Sequence, residues 1–479
     1  MEKHHAGHHN HVVNVKYGYF VFALSFLYYI LVVLGKWYTW YRQNEPIFSL
    51  RGARVPIWLH CSVWIVLLTA MGVFKVEYYL VALKRFGRLS YCLIPLDLLL
   101  VVRPNIINYL EFIDLHKWIS RIIIFAAYVH GLGYYYRWFF EGTVITKLFK
   151  LLNFLGVIVL LMTGILVIIS IRLFRRYSYT TFYIYHNISV WFFVLLIGFH
   201  SRPGVTPFTF LNLVIMSVQI YLMFIRTFTI ENLKVTEIES SNLIIVLFPK
   251  PSNFPSWSPG SHIRLNYRRN FILPTYPFTI ASDENDSTMT LIMKKPNHFT
   301  VIGNSSYAMS TPLPSASPAF LKNAEDVVII CGGSGISFGL PILSHFKLAS
   351  SATVNLIWVT RSKNDIIVLQ DNPNHESIQI YITGNNFDQE SEVQEQDDSI
   401  ELDTIAPTDA LLGSEYRDKD LFKVQNGRPD LEDCLGAFEG TEPKAEKWLV
   451  ACGPQALISD CKRLAKKKNI NLISEVYEM

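Results

Sequence analysis

Four histidines carry the first chemical signal in the sequence. His116 and His130 lie in "DLHKWISRIIIFAAYVHGLG", and His186 and His200 in "IYHNISVWFFVLLIGFH", fourteen positions apart in each tract. On a helix, fourteen steps of about 100° fall about 40° short of whole turns, so both members of a tract face one way, about 21 Å apart along the axis. Ionisable groups inside such apolar runs are costly and default to function. One further apolar run, 151–171, separates the two tracts, so the histidine helices run parallel, His116 level with His186 and His130 with His200. Two cross-helix imidazole pairs, each offering neutral nitrogens to opposite faces of a planar metal macrocycle, make two stacked bis-histidine haem sites. One such histidine alone would read as an interfacial hydrogen-bonding residue, and the repeat of the spacing argues against that. A four-histidine channel for bare ions fits less well, because the pairs sit a membrane's thickness apart.

Further along, "PGSHIRL" at 259–265, with His262, and "LPTYPFTIAS" at 273–282 stand out. A proline-fixed turn at Tyr276-Pro277 that exposes Phe278 and Thr279 could hold a flavin ring and its phosphate side, with Ser282 adding a hydroxyl; ordinary strand-turn punctuation is the competing reading. "IICGGSGIS" at 329–337 is more specific. Gly332, Gly333, Ser334, Gly335 and Ile336 bring backbone close to a pyrophosphate at the start of a helix. The spacing is not that of the strict dinucleotide fingerprint. Arg361, with Lys363 nearby, follows the strand "NLIWVT" and either meets a 2′-phosphate, favouring NADPH, or is a solvated strand-end charge. Cys452-Gly453-Pro454 ends another strand near where a nicotinamide would lie, and Tyr477 either covers a flavin face or packs at the surface.

Those residues need two kinds of scaffold. The chain has 479 residues, 51% hydrophobic and 17% charged, with mean hydropathy +0.25. That charge is well below the roughly 25% of soluble domains, so part of the chain lives in lipid. Seven runs read as spans: about 17–36, 57–75, 89–102, 114–136, 151–171, 183–200 and 208–226. The third, carrying Pro95 and Asp97, is short. The first run lacks a small-residue cleavage site and reads as a retained anchor. Beyond Arg226 alternating β-branched tracts predict a β-rich module, and from about residue 324 a strand, Gly-rich turn and helix predict a parallel nucleotide-binding sheet.

The expected division is a His-rich tail at 1–15, a membrane haem domain at 16–228, an FAD-binding β-barrel at 229–322 and an NADP-binding α/β domain at 323–479. An acidic insertion at about 386–442 reads as solvated and disordered. The net charge of +4, from 43 basic and 39 acidic residues without a dense basic run, excludes a nucleic-acid binder. Six cysteines without metal-ligand spacing imply no disulfide framework. His4, His5, His8, His9 and His11 form either a dispensable polar tail, a cloning remnant or a metal-capturing arm for Cu²⁺ or Fe³⁺.

In this order, the paired histidine helices, the Pro-Phe-Thr tract, Gly-Gly-x-Gly-Ile and Cys-Gly-Pro resemble the ferric-chelate reductase and NADPH oxidase superfamily over residues 55–479. Thirteen intervening residues in both histidine pairs look like the ferric reductase branch. The extra first span, "HKWISRI" at 116–122, "HSRPGV" at 200–205, "PGSHIR" at 259–264 and "CGGSGISFGLP" at 331–341 look most like a yeast metalloreductase-like group. Two features depart from the superfamily. Tyr276 stands where a histidine usually precedes Pro-Phe-Thr, and "STPLPSASPAF" replaces a Gly-Pro-Tyr-Gly loop.

The resemblance implies a multi-pass helical membrane domain of about seven helices with two b-type haems, followed by a cytosolic ferredoxin-reductase-like module. It implies electron flow from NADPH through FAD and the haems to ferric or cupric ions across the membrane. Superoxide production from oxygen is the alternative, and a non-catalytic haem scaffold or sensor the third. With seven spans and cytosolic C-terminal domains the N-terminus faces the acceptor side; plasma membrane and endoplasmic reticulum both remain open.

Overall fold

The computed structural model describes residues 2–41, 56–102, 112–267, 273–295, 299–349, 352–370, 372–384, 422–438 and 446–476, with side chains from Val15 onward. The chain forms two compact units, Met1–Thr227 with Asn266–Tyr276, and Phe228–Leu265 with Pro277–Met479.

The first unit is helical. Long runs of Leu, Ile, Val and Phe without turn residues leave the helix as the way to satisfy every backbone group in an apolar medium. Among the described residues, four helical stretches are long and apolar enough to cross a membrane: Val15–Gly35, Leu151–Ile169, Tyr179–His200 and Thr206–Ile225. Ile57–Val73 is apolar but shorter. The helix Ile113–Phe140 carries the first histidine tract and is the longest of those beyond the first. Its Lys117, Arg121 and Arg137 set it apart from the four in composition. Phe125, Leu151, Leu161 and Phe210 point outward, as lipid-facing side chains do.

The span expected at 89–102 is not one helix. The helix Tyr79–Cys92 ends there, and a six-residue helix, Ile94–Leu99, restarts with Pro95 in its first turn, where a missing N–H costs nothing. The break places Asp97 beside the histidine helix, as described below. A buried layer of Trp64, Leu68, Leu89, Ile119, Ile123, Val194 and Phe208 fills the unit. Within it the Tyr91 hydroxyl donates to the Val194 carbonyl at 2.8 Å and meets Thr209 Oγ1 at 2.9 Å, joining three helices.

The second unit opens with two small sheets, of which the three-stranded one is antiparallel. One has the order Thr227–Ile230, Tyr307–Ser310, His262–Asn266, Tyr276–Thr279; the other has Lys234–Glu237, Leu243–Pro249, Thr288–Lys294. A six-stranded parallel sheet follows, ordered Lys423–Asn426, Ile378–Ile382, Thr353–Thr360, Asp326–Gly332, Lys447–Gly453, Asn471–Val476. Strand order reverses between Asp326–Gly332 and Lys447–Gly453, so a crevice opens at their carboxyl ends. The strand Lys423–Asn426 and the short helix Leu431–Cys434 lie inside the tract expected to be a disordered insertion, and they extend the sheet and its cover instead. The acidic part of that tract, 388–403, lies outside the described residues. All six cysteines are free thiols.

Candidate functional site

The four histidines meet in the expected pairs. His116 and His186 have ring centroids 6.1 Å apart and nearly perpendicular planes, at 84°. His130 and His200 stand 6.2 Å apart at 76°. A first-row metal bonded to one nitrogen of each ring at about 2 Å would hold the two centroids about 6.3 Å apart. Each pair of rings would therefore have room for one metal ion held between them. Among the described residues no group of three or more His, Cys, Asp or Glu side chains that could hold a metal ion is found.

Three of the four rings are oriented through Nδ1. His116 Nδ1 lies 2.9 Å from Asp97 Oδ1, and Ser120 Oγ donates to Asp97 Oδ2 at 2.6 Å. His130 Nδ1 lies 2.8 Å from the Leu83 carbonyl, and His200 Nδ1 2.6 Å from that of Leu152. An N–H donated through Nδ1 leaves the Nε2 lone pair for a metal, the usual support of a ligating histidine.

Helix carbonyls are normally covered, because each side chain leans over the turn before it. Here the residues four positions on are Gly87 and Gly156. A Cβ at Gly87 would stand 2.8 Å from the His130 ring, and one at Gly156 2.9 Å from the His200 ring. The glycines thus uncover the carbonyls that hold the rings. The device recurs at Leu160 and Gly164, where the Tyr128 hydroxyl donates to the Leu160 carbonyl at 3.1 Å and would meet a Gly164 Cβ at 2.8 Å.

In the second unit the Gly-rich turn and the Cys-Gly-Pro turn come together. Gly333 has φ +55°, and its carbonyl accepts the Trp358 indole N–H at 2.9 Å. A Cβ on Gly335 would lie 2.6 Å from the Cys452 carbonyl oxygen, and one on Gly332 2.9 Å from Pro454 Cδ. Gly453 adopts φ +151° beside Gly332. At the switch point Gly332, Gly335 and Gly453 are crowded by neighbouring backbone and side chain, while a Cβ on Gly333 would meet nothing within 4 Å, so a pyrophosphate could lie against backbone N–H groups there. Ser334 sits in the turn, its carbonyl accepting the Ser337 hydroxyl at 2.9 Å, and Ile336 is buried below it. Arg361 is exposed at the end of the neighbouring strand, on the same sheet edge.

The flavin motifs differ from expectation. Tyr276–Thr279 is a strand and not an exposed turn, and Phe278 is buried against Phe299, which packs on Tyr307. Alternation along a strand sends Tyr276 and Phe278 to one face and Pro277 and Thr279 to the other. Thr279 is buried, Pro277 exposed and Tyr276 half-buried. Ser282 Oγ accepts the Thr290 N–H at 3.1 Å, closing the next turn. The two motifs nevertheless adjoin: the Ile280 N–H donates to the Ser261 carbonyl at 3.0 Å, and a Cβ on Gly260 would meet the Phe338 ring at 2.6 Å.

Two residues missed in the sequence connect the motifs. Ser315, in the tract replacing the expected Gly-rich loop, meets His262 Nδ1 at 3.1 Å and hydrogen-bonds Glu475. Glu475 pairs in register with Cys452, and burial pushes its carboxyl up to about 7 against the lowering effect of Ser315. Tyr477 and the side chains of His4, His5, His8, His9 and His11 lie outside the described residues.

Residues 86–197 match the family described as "Ferric reductase like transmembrane component", 227–333 "FAD-binding domain", and 324–466 "Ferric reductase NAD binding domain". A protein of Scheffersomyces stipitis named "Probable metalloreductase AIM14" is 40% identical, over 100% of this chain and 98% of the relative. Relatives of the same name from Debaryomyces hansenii and Candida dubliniensis are 39% and 38% identical, each over 99% of this chain and 98% of the relative. The chain belongs to the ferric reductase family, grouped with these yeast proteins, and joins a transmembrane component of that type to FAD- and NAD-binding domains.

Proposed function

We propose that this protein is a transmembrane metalloreductase that carries electrons from cytosolic NADPH, through FAD and two b-type haems, to ferric or cupric ions on the opposite side of the membrane. The observation that supports this is the pair of imidazole separations, 6.1 and 6.2 Å, each of which would suit one haem iron held between two histidines. When bound, the nucleotide supplies a hydride, the flavin divides it into single electrons and the haem irons take them one at a time.

The protein's own residues bind and orient. Gly332, Gly333 and Gly335 let backbone approach the nucleotide pyrophosphate, and Arg361 offers its guanidinium to the 2′-phosphate. His262, Tyr276 and Thr279 lie on adjacent strands that would hold the flavin. Tyr276 contributes an aromatic face without the ring nitrogens of a histidine. His116, His130, His186 and His200 hold the irons. The chain leaves the membrane unit after Thr206–Ile225, which returns antiparallel to Tyr179–His200 through a five-residue connection. It therefore exits at the end where His186 lies, which supports His116–His186 as the entry site and His130–His200 as the exit site.

The test is anaerobic. Purified, FAD-supplemented protein is scanned after NADPH and again after dithionite, followed by addition of chelated Fe³⁺. The proposal predicts that NADPH reduces most of the dithionite-reducible haem and that Fe³⁺ reoxidises it without oxygen. Haem that dithionite reduces and NADPH leaves oxidised would contradict it. Reoxidation only by oxygen, with a superoxide-dismutase-sensitive product, would make the protein an oxidase.

A further inference from the structure

We propose that Asp97 is a positioning residue that lowers the reduction potential of the His116–His186 site below that of the His130–His200 site. The inference rests on the haem reading above and goes beyond it, because it assigns the direction of electron flow within the membrane to one side chain.

Asp97 is the only acidic residue in "LSYCLIPLDLLLVV", where a carboxylate is expensive. The break at Leu93 and Pro95 turns it inward: its side chain is 13% exposed, with Oδ1 at 2.9 Å from His116 Nδ1 and Oδ2 accepting the Ser120 hydroxyl at 2.6 Å. A carboxylate accepting the Nδ1–H makes the imidazole a stronger donor through Nε2 and places negative charge near the metal. Both effects favour Fe³⁺ over Fe²⁺ and lower the potential. Lys117, the cation next to His116, is tied to Asp114 at 3.0 Å on an exposed face.

The His130–His200 site has the opposite surroundings. Both Nδ1 atoms meet neutral backbone carbonyls, and the helix Tyr79–Cys92, which holds the His130 ring, carries Lys84 beside the Leu83 carbonyl and Arg88 beside Gly87, the residue that abuts that ring. Nearby positive charge favours the reduced, less positive iron. With haem bound at both pairs, the residues around His116 and His186 would make that site the one-electron donor and those around His130 and His200 the acceptor, with no proton or further reactant needed.

A spectroscopic redox titration of the full-length protein in lipid nanodiscs tests this. Wild type should titrate in two waves, and His200→Ala should keep the lower one, assigning it to His116–His186. Asp97→Asn keeps the size and an acceptor oxygen while removing the charge, so the lower wave should move positive, with the low-spin bis-histidine spectrum retained and the upper wave in place. Ser120→Ala, which withdraws a donor from Oδ2 and leaves more charge facing His116, should move the lower wave negative.

Unmoved waves in both variants, or a shift of the upper wave alone, would overturn the inference while leaving the haem reading intact. If Asp97→Asn binds no haem, Ser120→Ala decides by itself: no negative shift overturns the inference. Wild type with fewer than two haems would overturn the haem reading and this inference together.

Discussion

At the His116–His186 pair the orienting group is a side chain, Asp97, paid into an apolar tract by a helix break. At the His130–His200 pair it is the backbone, two carbonyls uncovered by Gly87 and Gly156. Both arrangements fix a ring and its tautomer, but only the first brings charge. The difference teaches that equal ligands and equal spacing do not make equal sites, because the donor strength of an imidazole is set on its far nitrogen. It also makes the two sites fail in different ways.

The largest expected effect comes from removing ligands. His186→Ala and His200→Ala should each lower haem content by about half and abolish NADPH-driven reduction of external Fe³⁺, read by pyridine haemochrome assay and by turnover. Equal loss of both haems in either variant would show one interdependent site in place of two.

The glycines come next. Gly156→Ala places a methyl 2.9 Å from the His200 ring, and Gly87→Ala one 2.8 Å from the His130 ring. Each should cost about 1–3 kcal/mol of stability through overpacking and perturb one haem band selectively. A thermal melt with haem absorption as the signal checks both numbers. Asp97 variants should leave that band alone, which sharpens the contrast between the pairs.

Outside the membrane the effects are smaller. Arg361→Ala should raise the KM for NADPH about 10-fold, roughly 1.4 kcal/mol, and leave that for NADH nearly unchanged. An equal change for both nucleotides would remove the 2′-phosphate role.

Glu475 adds an effect confined to a defined pH window. Its carboxyl sits at about 7 in the folded chain against an ordinary 4.5. The folded chain therefore holds this proton more tightly than the unfolded one, and stability declines as pH rises from the lower value to the higher. Glu475→Gln should flatten that decline and add roughly 3 kcal/mol above pH 7, seen in denaturant melts across the window.

Much of the architecture was legible because lipid and sheets impose periods. The fourteen-residue histidine spacing, the β-branched alternation after Arg226 and the GGSG turn each encode one local geometry. Asp97 was visible only as an anomaly in a doubtful span, since its partner is nineteen residues away and depends on the break at Pro95. Gly87 and Gly156 were not legible, because a glycine inside a helix gives no sign of which carbonyl it uncovers. Phe278 was misread because a Pro-Phe-Thr tract looks like a turn until neighbouring strands pair with it. Ser315 and Glu475 meet across 160 residues of chain, beyond any local pattern.

Transfer across the membrane unit requires two irons, each held by one histidine pair. Haem and protein quantified together on full-length wild type, His130→Ala and His186→Ala decide this. Two b-type haems per wild-type chain and one in each variant are expected, all low-spin where a pair survives. A wild-type stoichiometry of one or none, or single variants that keep both haems, would contradict it.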